Sequence, residues 1–282
     1  MFTRNMHSKE IRGSLYFGKG LRPDFNTVRN LFSEKNEVDE CHLTASNKIS
    51  FVLPGLFLEL TGIRPGNMAI VPRPLRMPDK FSEFRFSDVE TLSLSMPFEA
   101  KQSRLWSSIN LTFAKLLSDF THLPGVEAVQ WHPARSLCLP DIFQRSIESW
   151  ERGKDFLGQE LISAAPMADG GIQTEGLWLF AGQEVRIEPE LVEPKRGNSE
   201  LALHLAQYFA HNGPLTKPMR FKSPLSGYLR AEPSSNGRFI RVYAEATKRS
   251  FGLKAVQPQS NDHFIESRAF SRLARWIPPT LL

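Results

Sequence analysis

The chain has 282 residues, a formal net charge of +5 and 41% apolar residues, close to ordinary globular values and long enough to bury a sizeable core. No window approaches 18 unbroken apolar residues and the first ten residues carry no apolar signal region, so neither a membrane span nor a secretory signal is expected. Lys and Arg are scattered rather than massed, which argues against a dedicated nucleic-acid face, and two cysteines outside any Cys-x-x-Cys pattern fit reduced thiols in a cytoplasmic protein.

Residues 1–10 are polar and read as a frayed end. Leu15, Tyr16 and Phe17 read as a first strand. Asp24 can cap a helix whose face is Val28, Leu31 and Phe32. From Glu37 to Arg73 the pattern turns to strands: Ile49, Phe51 and Leu53, then Leu56, Leu58 and Leu60, then Met68–Val71. Pro54-Gly55 and Pro65-Gly66 separate them, predicting an antiparallel meander. Pro72, Pro74 and Pro78 mark an edge or crossing loop. Phe81, Phe84 and Phe86 read as rings packed under the sheet. Leu92, Leu94 and Met96 alternate with Ser93 and Ser95, a half-buried strand. A helix follows over about Ser103–Thr121, a strand over Val126–Trp131, and a second helix opens at Pro140-Asp141. Leu161–Met167 reads as a further strand.

The stretch from Ile172 to Pro214 organises the rest. An apolar run ends at Gly182, an alternating run follows, and then a capped amphipathic helix with Leu201, Leu205, Tyr208 and Phe209 on one face. It reads as a hairpin and a helix, the helix stopped by Asn212-Gly213-Pro214. Glu175, Glu184, Glu188 and Glu190 fall on the expected solvent face of that hairpin. After Pro214 come short strands around Phe221, Tyr228–Arg230 and Arg238–Tyr243, with a turn at Ser234–Gly237. The segment from Lys248 onward is basic, with imperfect helical spacing over Phe264–Trp276. These elements predict an α+β fold: a mainly antiparallel sheet, three or four helices packed on it, and a strand-rich C-terminal extension. The expected division is a core domain over 11–213 and an extension over 214–282 packed on it.

Thr174, Gly176, Leu177, Phe180, Glu184 and Ile187, followed by the helix from Leu201 to Gly213, resemble the bacterial domain of unknown function 4261 family. Ala181 stands where that family often has Gly. Upstream, Ile70-Val71-Pro72-Arg73-Pro74 is similar to the family's Met-Pro-x-Pro turn, and Glu127–Trp131 with Pro140 and Phe143 to its Ala-x-x-x-Trp strand and following helix. The resemblance covers roughly residues 45–245. It implies a shared fold and transfers no catalytic residue. Families of this kind appear among bacterial accessory and toxin-immunity loci, so it also implies a protein partner.

Candidate chemistry is sparse. His132, Cys138 and Asp141 supply the parts of a Cys-His-Asp site, which requires the thiol and a base within hydrogen-bond reach. Cys41 and His42 are adjacent, so on a strand they point to opposite faces and do not make a metal site. No phosphate-cradling glycine loop occurs, and no cofactor is expected. Trp276 with Arg268, Arg272 and Arg275 forms a candidate binding cluster, since Trp and Arg dominate binding hot spots. The leading expectation is a non-enzymatic, cytoplasmic protein that binds another protein. Its most concrete form is an immunity protein that occludes a secreted toxin's active site. One alternative is a hydrolase or transferase using Cys138 and His132. The other is nucleic-acid binding through the basic tail, marked by steep loss of affinity with salt.

Overall fold

A computed structural model describes residues 10–35, 40–43, 48–53, 56–63, 74, 77–97, 106–152, 160–192, 199–223 and 227–244. The fold is α+β, built on two sheets dominated by antiparallel pairing. The first sheet contains β1 (Glu10–Gly18), β2 (Glu40–Leu43), β3 (Ile49–Leu53), β4 (Leu56–Thr61), β5 (Val89–Pro97), β6 (Val126–Trp131) and β7 (Ser136–Cys138) in the order β2-β3-β4-β5-β1-β6-β7. Of the expected meander, the strands over 49–53 and 56–60 are β3 and β4, paired antiparallel; the strand expected at Met68–Val71 lies outside the described residues, and β4 pairs on its other side with β5. β1 then inserts between β5 and β6, where it finds partners for both of its edges.

Side-chain alternation decides what this sheet packs against. Leu15 and Phe17 of β1, Leu92 and Leu94 of β5 and Val129 of β6 share one face, which buries against α1 (Phe25–Lys35) and α2 (Trp106–Phe120). Asp24 caps α1 as its position predicts: the Thr27 N–H donates to Asp24 Oδ1 at 2.8 Å. Phe32, Phe51 and Phe120 stack where the helices meet the sheet. The opposite face differs from expectation. Ser93 and Ser95 are buried as deeply as the leucines beside them, so β5 is covered on both sides rather than half-buried. On that second face Tyr16, Ala128 and Leu137 pack with Phe81, Phe84 and Phe86, carried by two 3-10 turns at Asp79–Phe81 and Phe86–Asp88. The three phenylalanines thus pin a loop rather than form a strand.

The second sheet contains β8 (Ser163–Pro166), β9 (Ile172–Glu175), β10 (Glu184–Ile187), β11 (Met219–Ser223), β12 (Gly227–Pro233) and β13 (Phe239–Ala244) in the order β11-β12-β13-β10-β9-β8. β10 and β13 run parallel; every other pair is antiparallel. α3 (Pro140–Glu151) packs on α2 and β6, and α5 (Ser199–Asn212) lies across β8, β9 and β10. Leu201, Leu205 and Phe209 are its buried face. It ends at Gly213 in the left-handed region (φ 81°), whose N–H donates to the Phe209 carbonyl. Leu229, Ala231, Ile240 and Val242 join the same continuous core as the first sheet. Met219–Ala244 therefore completes the sheet begun by β8–β10.

The apolar run Leu177–Ala181 does not form the expected strand. It makes one helical turn, α4 (Trp178–Ala181), in the connection between β9 and β10. Five consecutive apolar residues suit a turn buried on all sides as well as a strand buried on both faces; α2 and α5 supply those walls. Among the described residues no helix is long and apolar enough to cross a membrane.

Candidate functional site

Glu184 is the first residue of β10 and only 2% exposed. Its carboxyl reaches back over the β9–β10 connection. Oε1 accepts from the N–H groups of Gly176 at 2.8 Å and Trp178 at 3.3 Å, and Oε2 lies 2.5 Å from the Thr174 hydroxyl. Thr174 Oγ1 also accepts from the Val185 N–H at 2.8 Å. The spacing Thr174-x-Gly176 and Glu184 thus closes a loop on itself, satisfying backbone donors that α4 leaves over at its start. Gly176 is obligatory there. Its φ is 99°, and a Cβ would sit 2.6 Å from the Leu161 carbonyl oxygen. Burial raises the Glu184 carboxyl to about 8, against the pull of Thr174, Trp178 and Gly176 in the other direction. A raised carboxyl is what general acid chemistry needs. Here its oxygens are already taken up by two backbone N–H groups and the Thr174 hydroxyl.

The four glutamates expected on a solvent face separate. Glu175 pairs with Arg135 at 3.7 Å. Glu188, 5% exposed, accepts from Arg241 Nε at 2.6 Å and lies 3.5 Å from Arg186 Nε. Glu190 is exposed. Glu184 is drawn in by the backbone donors of the β9–β10 connection and Glu188, just past the end of β10, by Arg241, so alternation alone misplaces both.

His132 opens a 3-10 turn after β6. Its Nε2 lies 2.8 Å from Ser14 Oγ, which lies 2.6 Å from Ser93 Oγ. Burial, with Arg12 adding repulsion, lowers the imidazole to about 3. A base that protonates only there is weak at neutral pH, so this hydroxyl–imidazole contact is poorly matched to nucleophile activation. Cys138 is placed elsewhere. The register sets it against Val129, which faces Leu15 in the core, while Ser14 points to the other side of the sheet with Gln130 and Leu137. Cys138 and the Ser14 bonded by His132 thus belong to opposite faces, and strand alternation keeps the thiol from the imidazole ring. Asp141 joins neither. It is exposed in the first turn of α3 and pairs with Arg145 at 3.0 Å.

Arg268, Arg272, Arg275 and Trp276 lie outside the described residues, as do the turn at 64–73 and the tail helix expected over 264–276. Cys41 and His42 fall on β2, paired with Phe51 and Ser50. Among the described residues no three His, Cys, Asp or Glu side chains are grouped to hold a metal ion.

Sequence reasoning missed the outer face of the second sheet. The alternation was present in Met219-Arg-Phe-Lys222 and Tyr228-Leu-Arg-Ala-Glu232: apolar residues enter the core, and cations and tyrosine remain outside. Read strand by strand it marks only a solvated face; pairing brings the cations together. No family model matches this chain, and neither does any curated protein or solved structure.

Proposed function

We propose that this chain is a non-enzymatic bacterial protein that acts by binding another protein, as the immunity partner of a secreted toxin whose active site it occludes. The observation that carries this reading is the inward use of the reactive groups. Glu184 is engaged by Thr174, Gly176 and Trp178, the His132 ring lies against Ser14, and Cys138 sits in the core. Groups committed to the fold in this way are structural, and what the protein offers outward is surface. The resemblance of Thr174–Ile187 to the domain of unknown function 4261 family supports the same assignment. The test is co-expression with the proteins encoded beside it. The expected result is a stoichiometric complex with one neighbour, whose toxicity to the cell is relieved. If toxicity persists with both proteins folded and abundant, the immunity reading fails. A Cys138→Ser variant should protect as well as the parent chain; loss of protection there would point back to thiol chemistry.

A further inference from the structure

Among the described residues, Glu184 is a buried carboxyl that no cation balances. Of the charged side chains only Glu175 acts on it, and that one repels; Glu175 itself is paired with Arg135. The elements packed around it add no charge. β13 sets Phe239 opposite it, α5 brings the apolar face of Leu201, Leu205 and Phe209, and α2 brings the neutral Asn110 against Leu179 of α4. Its hydrogen bonds suit the acid. Oε1 accepts from both the Gly176 and Trp178 N–H groups, so Oε2 is the oxygen that carries a proton and donates it to Thr174 Oγ1. Thr174 Oγ1 also accepts from the Val185 N–H, which leaves its one proton for the Val185 carbonyl at 3.4 Å. Once Glu184 is ionised, the threonine proton turns to Oε2 and the contact with Val185 is given up. Burial acts in the same direction and holds the carboxyl protonated up to about 8.

The segment that this carboxyl closes is short. From Gly176 to Gly182 it holds one helical turn, and both glycines take left-handed backbone. Gly176 sits between the Leu161 carbonyl and Ala134, beside the turn to which the Ser163 hydroxyl donates. Strand pairing stops at Glu175 and resumes at Glu184, so the segment can leave its seat without breaking a ladder. We propose that Glu184 is a proton-operated latch on the β9–β10 connection. Protonated, it keeps Gly176–Gly182 seated; when the proton passes to solvent, the segment opens locally while both sheets stay folded, and the apolar run Leu177–Ala181 becomes accessible. In the open segment the carboxyl ionises like an ordinary glutamate. Each pH unit between pH 4.5 and 8 therefore multiplies the open population about tenfold, and the rise levels off above that range. The latch does not depend on the immunity role.

The test is native-state amide hydrogen exchange on the full chain at pH 6 and 7.5, in water and in about 1 M urea, for the parent and for E184Q. After correction for intrinsic exchange, the Gly176 and Trp178 amides of the parent are expected to lose about twentyfold in protection between the two pH values. Urea should leave them unchanged, because a local opening exposes little surface. E184Q should show no such loss. The Leu15 amide, in β1 between two partner strands, reports global unfolding and should be better protected and steeply urea-dependent. Gly176 and Trp178 amides that match Leu15 in protection and urea dependence would mean that they open only with the whole fold, and would overturn the latch. So would protection that does not change with pH, or a loss that persists in E184Q. Should E184Q not fold, the pH and urea dependence of the parent decide alone.

Discussion

Between pH 4.5 and 8 the folded chain holds a proton at Glu184 that the unfolded chain releases, so this residue withdraws stability as pH rises through that range. His132 acts in the opposite sense. Between its ordinary 6.5 and its folded value of about 3 the unfolded chain binds the proton, so stability is lost as pH falls. Each contributes a slope of at most ~1.4 kcal/mol per pH unit where its two states differ by one proton. The two slopes oppose each other between pH 4.5 and 6.5, and their joint contribution there is flat. Urea unfolding across pH is expected to show that plateau with a fall on either side. The glutamine variant E184Q should remove the alkaline limb. When Glu184 is protonated, its hydroxyl can donate to Thr174 Oγ1, which turns to the Val185 carbonyl at 3.4 Å; a glutamine amide donates in the same place. E184A leaves the Gly176 and Trp178 N–H groups without that acceptor and should cost about 2–4 kcal/mol at pH 6. An alkaline limb retained in E184Q would assign it to another group. Gly176→Ala meets both the left-handed backbone and the Leu161 carbonyl, and is expected to cost about 2 kcal/mol or more by the same measurement.

At the scale of elements, α5 joins the second sheet to the common core through Leu201, Leu205 and Phe209. Leu205→Ala should destabilise by about 2–5 kcal/mol, since the helix is held on β8–β10 and cannot collapse freely into the space. His204, exposed one residue earlier, is the control, and its replacement by Ala should stay within about 0.5 kcal/mol. Asn110 of α2 does a different task. Its Nδ2 donates to the Leu179 carbonyl at 2.6 Å and fixes α4 against α2. Asn110→Ala leaves a buried carbonyl without that donor, for an expected loss of about 1–3 kcal/mol measured by thermal unfolding. α4 also marks where local pattern misleads. The five apolar residues from Leu177 to Ala181 carry no period, and only the walls around them choose a helical turn over a strand.

For the whole molecule, two sheets share one apolar core, and β13 enters the second sheet beside β10 although some fifty residues separate them in the chain. A chain ended at residue 213 keeps the segment expected to be a core domain. It loses Leu229, Ala231, Ile240 and Val242 and leaves β10 without one neighbour. Such a truncation is expected to lose the single cooperative urea transition of the full chain, or to aggregate through the opened edge. A transition of unchanged midpoint would mean that the first 213 residues fold alone. The His132–Arg135 turn links the sheets directly: the Ser163 hydroxyl donates to the Ala134 carbonyl at 2.6 Å, and Arg135 reaches Glu175.

The α+β class, the β3–β4 hairpin, the Asp24 cap, the Gly213 stop and the inward faces of most strands and helices were legible in the residues themselves. Each follows from a local rule: a period of two or 3.6, a cap, a turn dipeptide. What lay between distant strands was not. The burial of Ser93, Glu184 and Glu188, the separation of Cys138 from His132, and the meeting of Arg220 with Arg230 all depend on which strand pairs with which. Alternation tells a side chain only which of two faces it takes. Register and the covering layers decide what that face meets, and these are set by contacts between residues far apart in the chain.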